Sequence, residues 1–188
     1  MFKIAIDGPA GAGKSTISKE VAKKLNIEYL DTGAMYRVIT LKAMRLNINM
    51  EDDNAYGFLK DTDITFNEGK IFLDGEDVST AIRSVEITNN VSTPSKIGCV
   101  RSYLVDLQRK ISESINVVMD GRDIGTVVLP NANLKIYLDA SVECRAIRRK
   151  KERDLAGVIL SLEETIEEIA ARDFKDSTRK INPLRKAD

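Results

Sequence analysis

The sequence has 188 residues, 43% of them hydrophobic, and its 29 basic side chains balance 29 acidic ones. That length and apolar fraction suit one domain with a real core and exclude a disordered chain. The absence of histidine excludes Ser-His-Asp and Cys-His triads, zinc sites of the usual kind and any imidazole base, so chemistry must run on carboxylates, Lys, Arg, hydroxyls, backbone N–H groups or a bound ion.

Residues 2–6 are a short apolar run closed by Asp7-Gly8, which predicts a buried strand. The run is too short for a secretion signal, and no stretch is apolar enough to span a bilayer, so a cytoplasmic chain without a membrane partner is expected. A helix is predicted from Ser15 onward, with Ile17, Val21 and Leu25 as its apolar stripe and Ser18, Lys19 and Lys23 on other faces. Residues 27–30 predict a second strand, stopped by Asp31-Thr32-Gly33, and residues 35–46 a second helix. Strand, loop, helix, strand, loop, helix is the signature of a parallel α/β sheet.

The rhythm changes over residues 63–78, where three short strands separated by Glu68-Gly69 and Asp74-Gly75 predict a small antiparallel insert. Residues 95–113 predict a long helix with Val100, Leu104, Leu107 and Ile111 on one stripe. Residues 116–119 are a buried strand ending in Asp120-Gly121, and residues 134–138 another. An Arg-rich helix begins at Ser141, and a last helix, capped by Ser161-x-x-Glu164, runs to about Asp173. Cys99 and Cys144 are too far apart for a C-x-x-C motif, and each is expected to be a buried apolar residue.

Gly8-Pro9-Ala10-Gly11-Ala12-Gly13-Lys14-Ser15 matches G-x-x-x-x-G-K-[ST] at every fixed position. Its glycines let backbone N–H groups crowd around phosphate oxygens. In this pattern Lys14 reaches the β- and γ-phosphates, Ser15 ligates Mg²⁺, and the following helix dipole favours the anion. Asp120, at the end of an apolar strand, looks like the carboxylate that orients magnesium, usually through water; the alternative is a turn residue before Gly121. There is no N-K-x-D guanine-reading motif, which argues against a GTPase switch.

Arginines recur at element ends or on helix faces: Arg37, Arg101, Arg122, Arg145, Arg149, Arg172 and Arg179. Arg145 and Arg149 share a helix face and are placed to clamp an anion together. The whole run Arg145–Arg153 holds six basic residues, and its alternatives are a solvated helix face or a nucleic-acid patch. Zero net charge and the lack of interleaved aromatic residues count against nucleic acid. Phosphoryl transfer between two anions gives the arginines a better reason, because charge builds on the moving group.

Four segments carry a family resemblance: 8–16, 31–37 (Asp-Thr-Gly-Ala-Met-Tyr-Arg), 120–128 (Asp-Gly-Arg-Asp-Ile-Gly-Thr-Val-Val), and Arg172-Asp173 with Asp176-Ser177-Thr178-Arg179. In this order the chain resembles the bacterial cytidylate kinases over essentially its whole length. The resemblance implies transfer of a phosphoryl group from ATP to CMP or dCMP with Mg²⁺. It implies a P-loop α/β fold with core about 1–37 and 91–140, an NMP-binding insert about 38–90, and a helical lid about 145–175. It implies ATP contacts from Gly8 through Thr16, and acceptor-phosphate positions at Thr32, Tyr36, Arg37 and Arg122. Ser92, Arg101 and Asp123 match positions that read cytosine, and Arg172 and Asp176 positions near the ribose. Arg145, Arg149 and Arg179 match arginines that close over the phosphates. A monomer is expected. The family pattern continues with a further strand and a last helix that this sequence does not contain, so a fifth strand of the main sheet is not expected. Other readings are a related small-molecule kinase with another acceptor and an ATP-binding regulatory module.

Overall fold

A computed structural model describes residues 1–67, 69–155 and 157–188. Four parallel strands form the main sheet: β1 (Lys3–Asp7), β2 (Glu28–Asp31), β6 (Val117–Gly121) and β7 (Leu134–Tyr137), in the spatial order β2-β6-β1-β7. Successive side chains of a strand point to opposite faces. Ile4, Ile6 and Val118 therefore pack with Ala22 of α1 (Lys14–Leu25) on one side. Ala5, Val117 and Met119 join Met35, Val38 and Leu104 in the larger core on the other, under α2 (Thr32–Arg45) and α4 (Gly98–Ser112). Register brings Asp7 opposite Gly121 and Asp31 opposite Asp120, so these carboxylates gather at the carboxyl edge of the sheet, where open α/β sheets bind ligands.

Between α2 and α4 lies the antiparallel insert, β3 (Ile64–Asn67), β4 (Lys70–Leu73) and β5 (Glu76–Asp77), with the short α3 (Val85–Asn90) after it. Asp74 and Gly75 both adopt positive φ, 50° and 86°, the demand of a two-residue hairpin turn. In the other predicted turn, Glu68 lies outside the described residues. Ion pairs from Lys42 to Asp74 and from Arg45 to Glu76, each 2.7 Å, tie the insert to α2. At the far end of the chain α5 (Val142–Leu155) packs on α6 (Leu162–Thr178), whose capping box at Ser161 and Glu164 is present.

Several expectations are corrected. The buried face of α1 is Lys14, Ser18 and Ala22, whereas Ile17 is 40% and Leu25 51% exposed. Val21 packs half-buried against the sheet beside Ala22. No loop separates β2 from α2: Asp31 caps the helix by accepting from the Ala34 amide at 2.9 Å, so Thr32 and Gly33 form its first turn. The long helix starts at Gly98, after a separate turn at Pro94–Lys96, and α6 continues to Thr178. Cys99 and Cys144 are both exposed, on the outward faces of α4 and α5. Among the described residues no helix is long and apolar enough to cross a membrane.

Candidate active site

The phosphate loop follows directly from the end of β1. Gly8, at φ 151°, has no room for a side chain: a Cβ there would lie 2.0 Å from the Leu138 carbonyl oxygen. Gly11 and Gly13, at φ 75° and 94°, turn the chain back into α1. Lys14 is 6% exposed and donates to the Pro9 carbonyl at 2.8 Å. Burial, with Arg122 nearby, pulls its ammonium down to about 7.

Ser15 donates to Asp120 Oδ2 at 3.0 Å, and Tyr29 of β2 donates to Asp120 Oδ1 at 2.7 Å. Burial and the neighbouring Asp31 charge raise the Asp120 carboxyl above the usual range. A serine hydroxyl and a buried carboxylate fit a hard divalent cation that completes its shell with phosphate and water. No cluster of three or more His, Cys, Asp or Glu forms a dedicated metal cage among the described residues, and such a cation needs none.

A cleft of about 210 Å³ opens beside the loop, lined by eight basic and four acidic side chains in a chain with no net charge. Ala10, Gly11, Lys14 and Ser15 bound its donor end. Gly8, Pro9, Ala12, Gly13 and Thr16 do not line it. Thr32 closes the floor through a 2.7 Å bond to the Asp120 carbonyl, and Arg37 is aimed by Ile82 O at 3.2 Å and Thr88 Oγ1 at 2.8 Å. Arg122 is paired with Asp176 at 2.8 Å. Burial, helped by Arg122, lowers Arg172 to about 10. Burial raises the Asp176 carboxyl, but Arg122 and Arg172 outweigh it and hold the group below its usual range.

At the other end Asp123 is buried between two guanidinium groups. Arg101 donates to its Oδ2 and Arg179 sits 3.3 Å from its Oδ1. Tyr36 lies under Arg101 with 5.5 Å from guanidinium to ring, and Ser92 borders the same space. Arg101 and Arg172 each keep a buried Nε–H with no acceptor. Buried donors are normally satisfied, and orphan donors on an anion cleft point to a ligand.

The lid arginines separate. Arg149 lines the cleft. Arg145 does not: it is buried, donating to Ala10 O at 3.1 Å and Ala140 O at 2.8 Å and pairing with Asp173 at 2.6 Å. In this arrangement the expected two-arginine clamp is a single arginine, while Arg145 staples α5 and α6 to the phosphate loop. Sequence reasoning missed Arg83, which lines the cleft and approaches Asp31 at 3.7 Å, and Tyr29. Neither sits in a motif. It also passed over Asp7, although a carboxylate ending a strand immediately before the loop was visible.

A phosphate loop facing a second anion pocket across the carboxyl edge of a parallel sheet defines a P-loop kinase of small molecules. The chain belongs to the cytidylate kinase family, whose model, described as "Cytidylate kinase", matches residues 4–188. It is 51% identical to the cytidylate kinase of Acholeplasma laidlawii, over 100% of this chain and 84% of that one. To the cytidylate kinase of Desulforamulus reducens it is 57% identical, over 96% and 83%. Among solved structures, an uncharacterized protein from Eubacterium ventriosum matches with a TM-score of 0.52 at 11% identity, over 98% of this chain and 81% of that one. That likeness extends to the fold alone.

Proposed function

We propose that this chain transfers the γ-phosphoryl group of ATP to CMP or dCMP, releasing ADP and CDP or dCDP. The observation that carries the reading is the continuity of one cleft, from Lys14 and Ser15 to the Asp123–Arg101–Arg179 cluster, with a cationic excess along it. The donor triphosphate lies on residues 8–16, cradled by backbone N–H groups, with Lys14 at the β- and γ-phosphates. Ser15, and Asp120 through water, would hold Mg²⁺, which would supply positive charge against the transferring group. The phosphates it meets favour the charged form of Lys14, since an adjacent anion stabilises the ammonium.

Thr32, Arg37 and Arg122 hold the acceptor phosphate, while Tyr36 and Ser92 shape its pocket. Arg172 and Asp176 face the ribose. Arg149 and Arg179, with Arg145 behind them, surround the charge of the transition state. No general base is needed, because the acceptor phosphate is already ionised and nucleophilic, so positioning and electrostatics carry the rate. At the base end the Asp123 carboxylate accepts cytosine N4–H and Arg101 donates to N3 or O2. Uracil would set O4 against the carboxylate and leave buried groups unpaired, at roughly 1–3 kcal/mol per group.

In this reading the insert at about 38–90 carries the acceptor, and the α5–α6 segment at about 145–175 is the lid of a cytoplasmic monomer without nucleic-acid or membrane partners. The test is a coupled ADP-release assay with CMP, dCMP, UMP, AMP and water as acceptors. Fast turnover with CMP and dCMP is expected. Activity confined to AMP, or to water alone, refutes the assignment.

A further inference from the structure

Asp7 is 3% exposed, and neither the phosphate loop motif nor the acceptor pocket accounts for its carboxylate. Its Oδ1 accepts the Ile124 amide at 2.8 Å and its Oδ2 the Gly125 amide at 2.7 Å. Its backbone, meanwhile, is paired in register with Gly121 of β6. One residue therefore fixes the chain at Gly121 and again at Ile124 and Gly125. Arg122 and Asp123, the pair between those fixed points, arch into the cleft and line it.

We propose that Asp7 is a positioning residue for base selection, bracing this arch so that Asp123 presents its carboxylate at the base end of the cleft. The inference rests on the reading in which Asp123 recognises cytosine. The geometry of the brace demands a carboxylate. Two adjacent N–H groups converge on it, and a buried donor left unmet is strongly unfavourable. An asparagine would meet one amide with its oxygen and oppose the other with its NH₂ group. The Asp123 carbonyl accepts from Val127 at 2.9 Å and Val128 at 3.2 Å, so the arch is held behind as well as below.

The test compares the full chain with Asp7→Asn and Asp7→Ala, the latter leaving room for a water to serve both amides. Measured are kcat/KM for CMP and UMP, KM for ATP and the thermal midpoint. The CMP:UMP ratio should fall by about tenfold or more, with KM for ATP held within about twofold. An unchanged ratio in a folded variant, or equal loss on both acceptors, overturns the proposal. Added to Asp123→Asn, the Asp7 change should leave the ratio where Asp123→Asn alone sets it; a further fall of the same size overturns the proposal too. If neither variant folds, amide exchange in the unsubstituted protein decides. Slow exchange at Ile124 and Gly125 supports the brace, and exchange as fast as at exposed loop amides overturns it. An unsubstituted protein inactive on CMP would overturn the functional reading and this inference with it, an outcome distinct from an active enzyme whose selectivity ignores Asp7.

Discussion

Replacing Lys14 by methionine should make the nucleotide-free protein more stable while removing its activity. The native ammonium is pulled from 10.5 to about 7, first by burial and then by the Arg122 charge. At 1.36 kcal/mol per unit, holding this lysine in place costs roughly 4 kcal/mol at neutral pH. Methionine forfeits the bond to Pro9 O, worth about 1 kcal/mol, but fills the space without a charge. A net gain of about 1–3 kcal/mol corresponds to a melting temperature higher by roughly 3–8 °C in a domain of this size. The sign has a pH signature. The unfolded lysine keeps its proton up to 10.5 and the native one only up to about 7, so native stability from this group rises with pH between those values. The advantage of the variant should be largest at and below pH 7 and should close as pH approaches 10. Turnover should meanwhile fall by about a hundredfold or more, the loss expected for a cation at the transferring phosphoryl. Thermal melts of both proteins from pH 6 to 10, beside steady-state kinetics, provide the check. A variant that melts no higher than the parent at pH 7, or by a margin indifferent to pH, would refute the electrostatic reasoning. Near-normal turnover would refute the phosphate-loop assignment.

Gly8→Ala should be severely destabilised, by about 3 kcal/mol or more, because its methyl would lie 2.0 Å from the Leu138 carbonyl and backbone cannot yield as a side chain does; a normal urea midpoint would contradict this. Asp123→Asn should narrow the preference for CMP over UMP, since an amide can donate to O4. It should also raise KM for CMP, because Arg101 and Arg179 lose their shared counter-charge. An unchanged CMP:UMP ratio in a folded protein would show that Asp123 does not read the base.

Much of this molecule is legible locally. The apolar run before Gly8, the turn signals around the insert and the Ser161-x-x-Glu164 cap each depend on a few neighbouring residues, and each element appears where its pattern lies. What failed depends on distance. Periodicity chose Ile17, Val21 and Leu25 as the inner face of α1; Val21 does pack, half-buried, against the sheet, but Ile17 and Leu25 are exposed and Ser18 is buried instead. Arg83 reaches the cleft only because the insert folds back over α2, and no spacing announces that. The Arg145 and Arg149 pair shares a helix face, as i and i+4 must, yet the docking of α5 on the phosphate loop buries one and leaves the other at the cleft. The strand order β2-β6-β1-β7 is likewise a tertiary fact. A counted length of apolar residues predicts a strand but not its neighbours.

That strand order also dictates a timetable for synthesis. The first two strands have no sheet partner in each other: β1 pairs with β6 and β7, and β2 pairs with β6. The insert can pair within itself, but β1 and β2 must both wait for the keystone strand to leave the ribosome. At about 5–20 residues per second, that is an interval of roughly 5–20 s after Asp7 is joined to the chain. Until then the loop at Gly8 has no frame to bend against, and a nascent fragment ending in the insert should hold no nucleotide. Such long-range pairing slows folding relative to local contacts. Binding competence should emerge in one step as β6 slots between its two neighbours, bringing Asp120, Arg122 and Asp123 into place together.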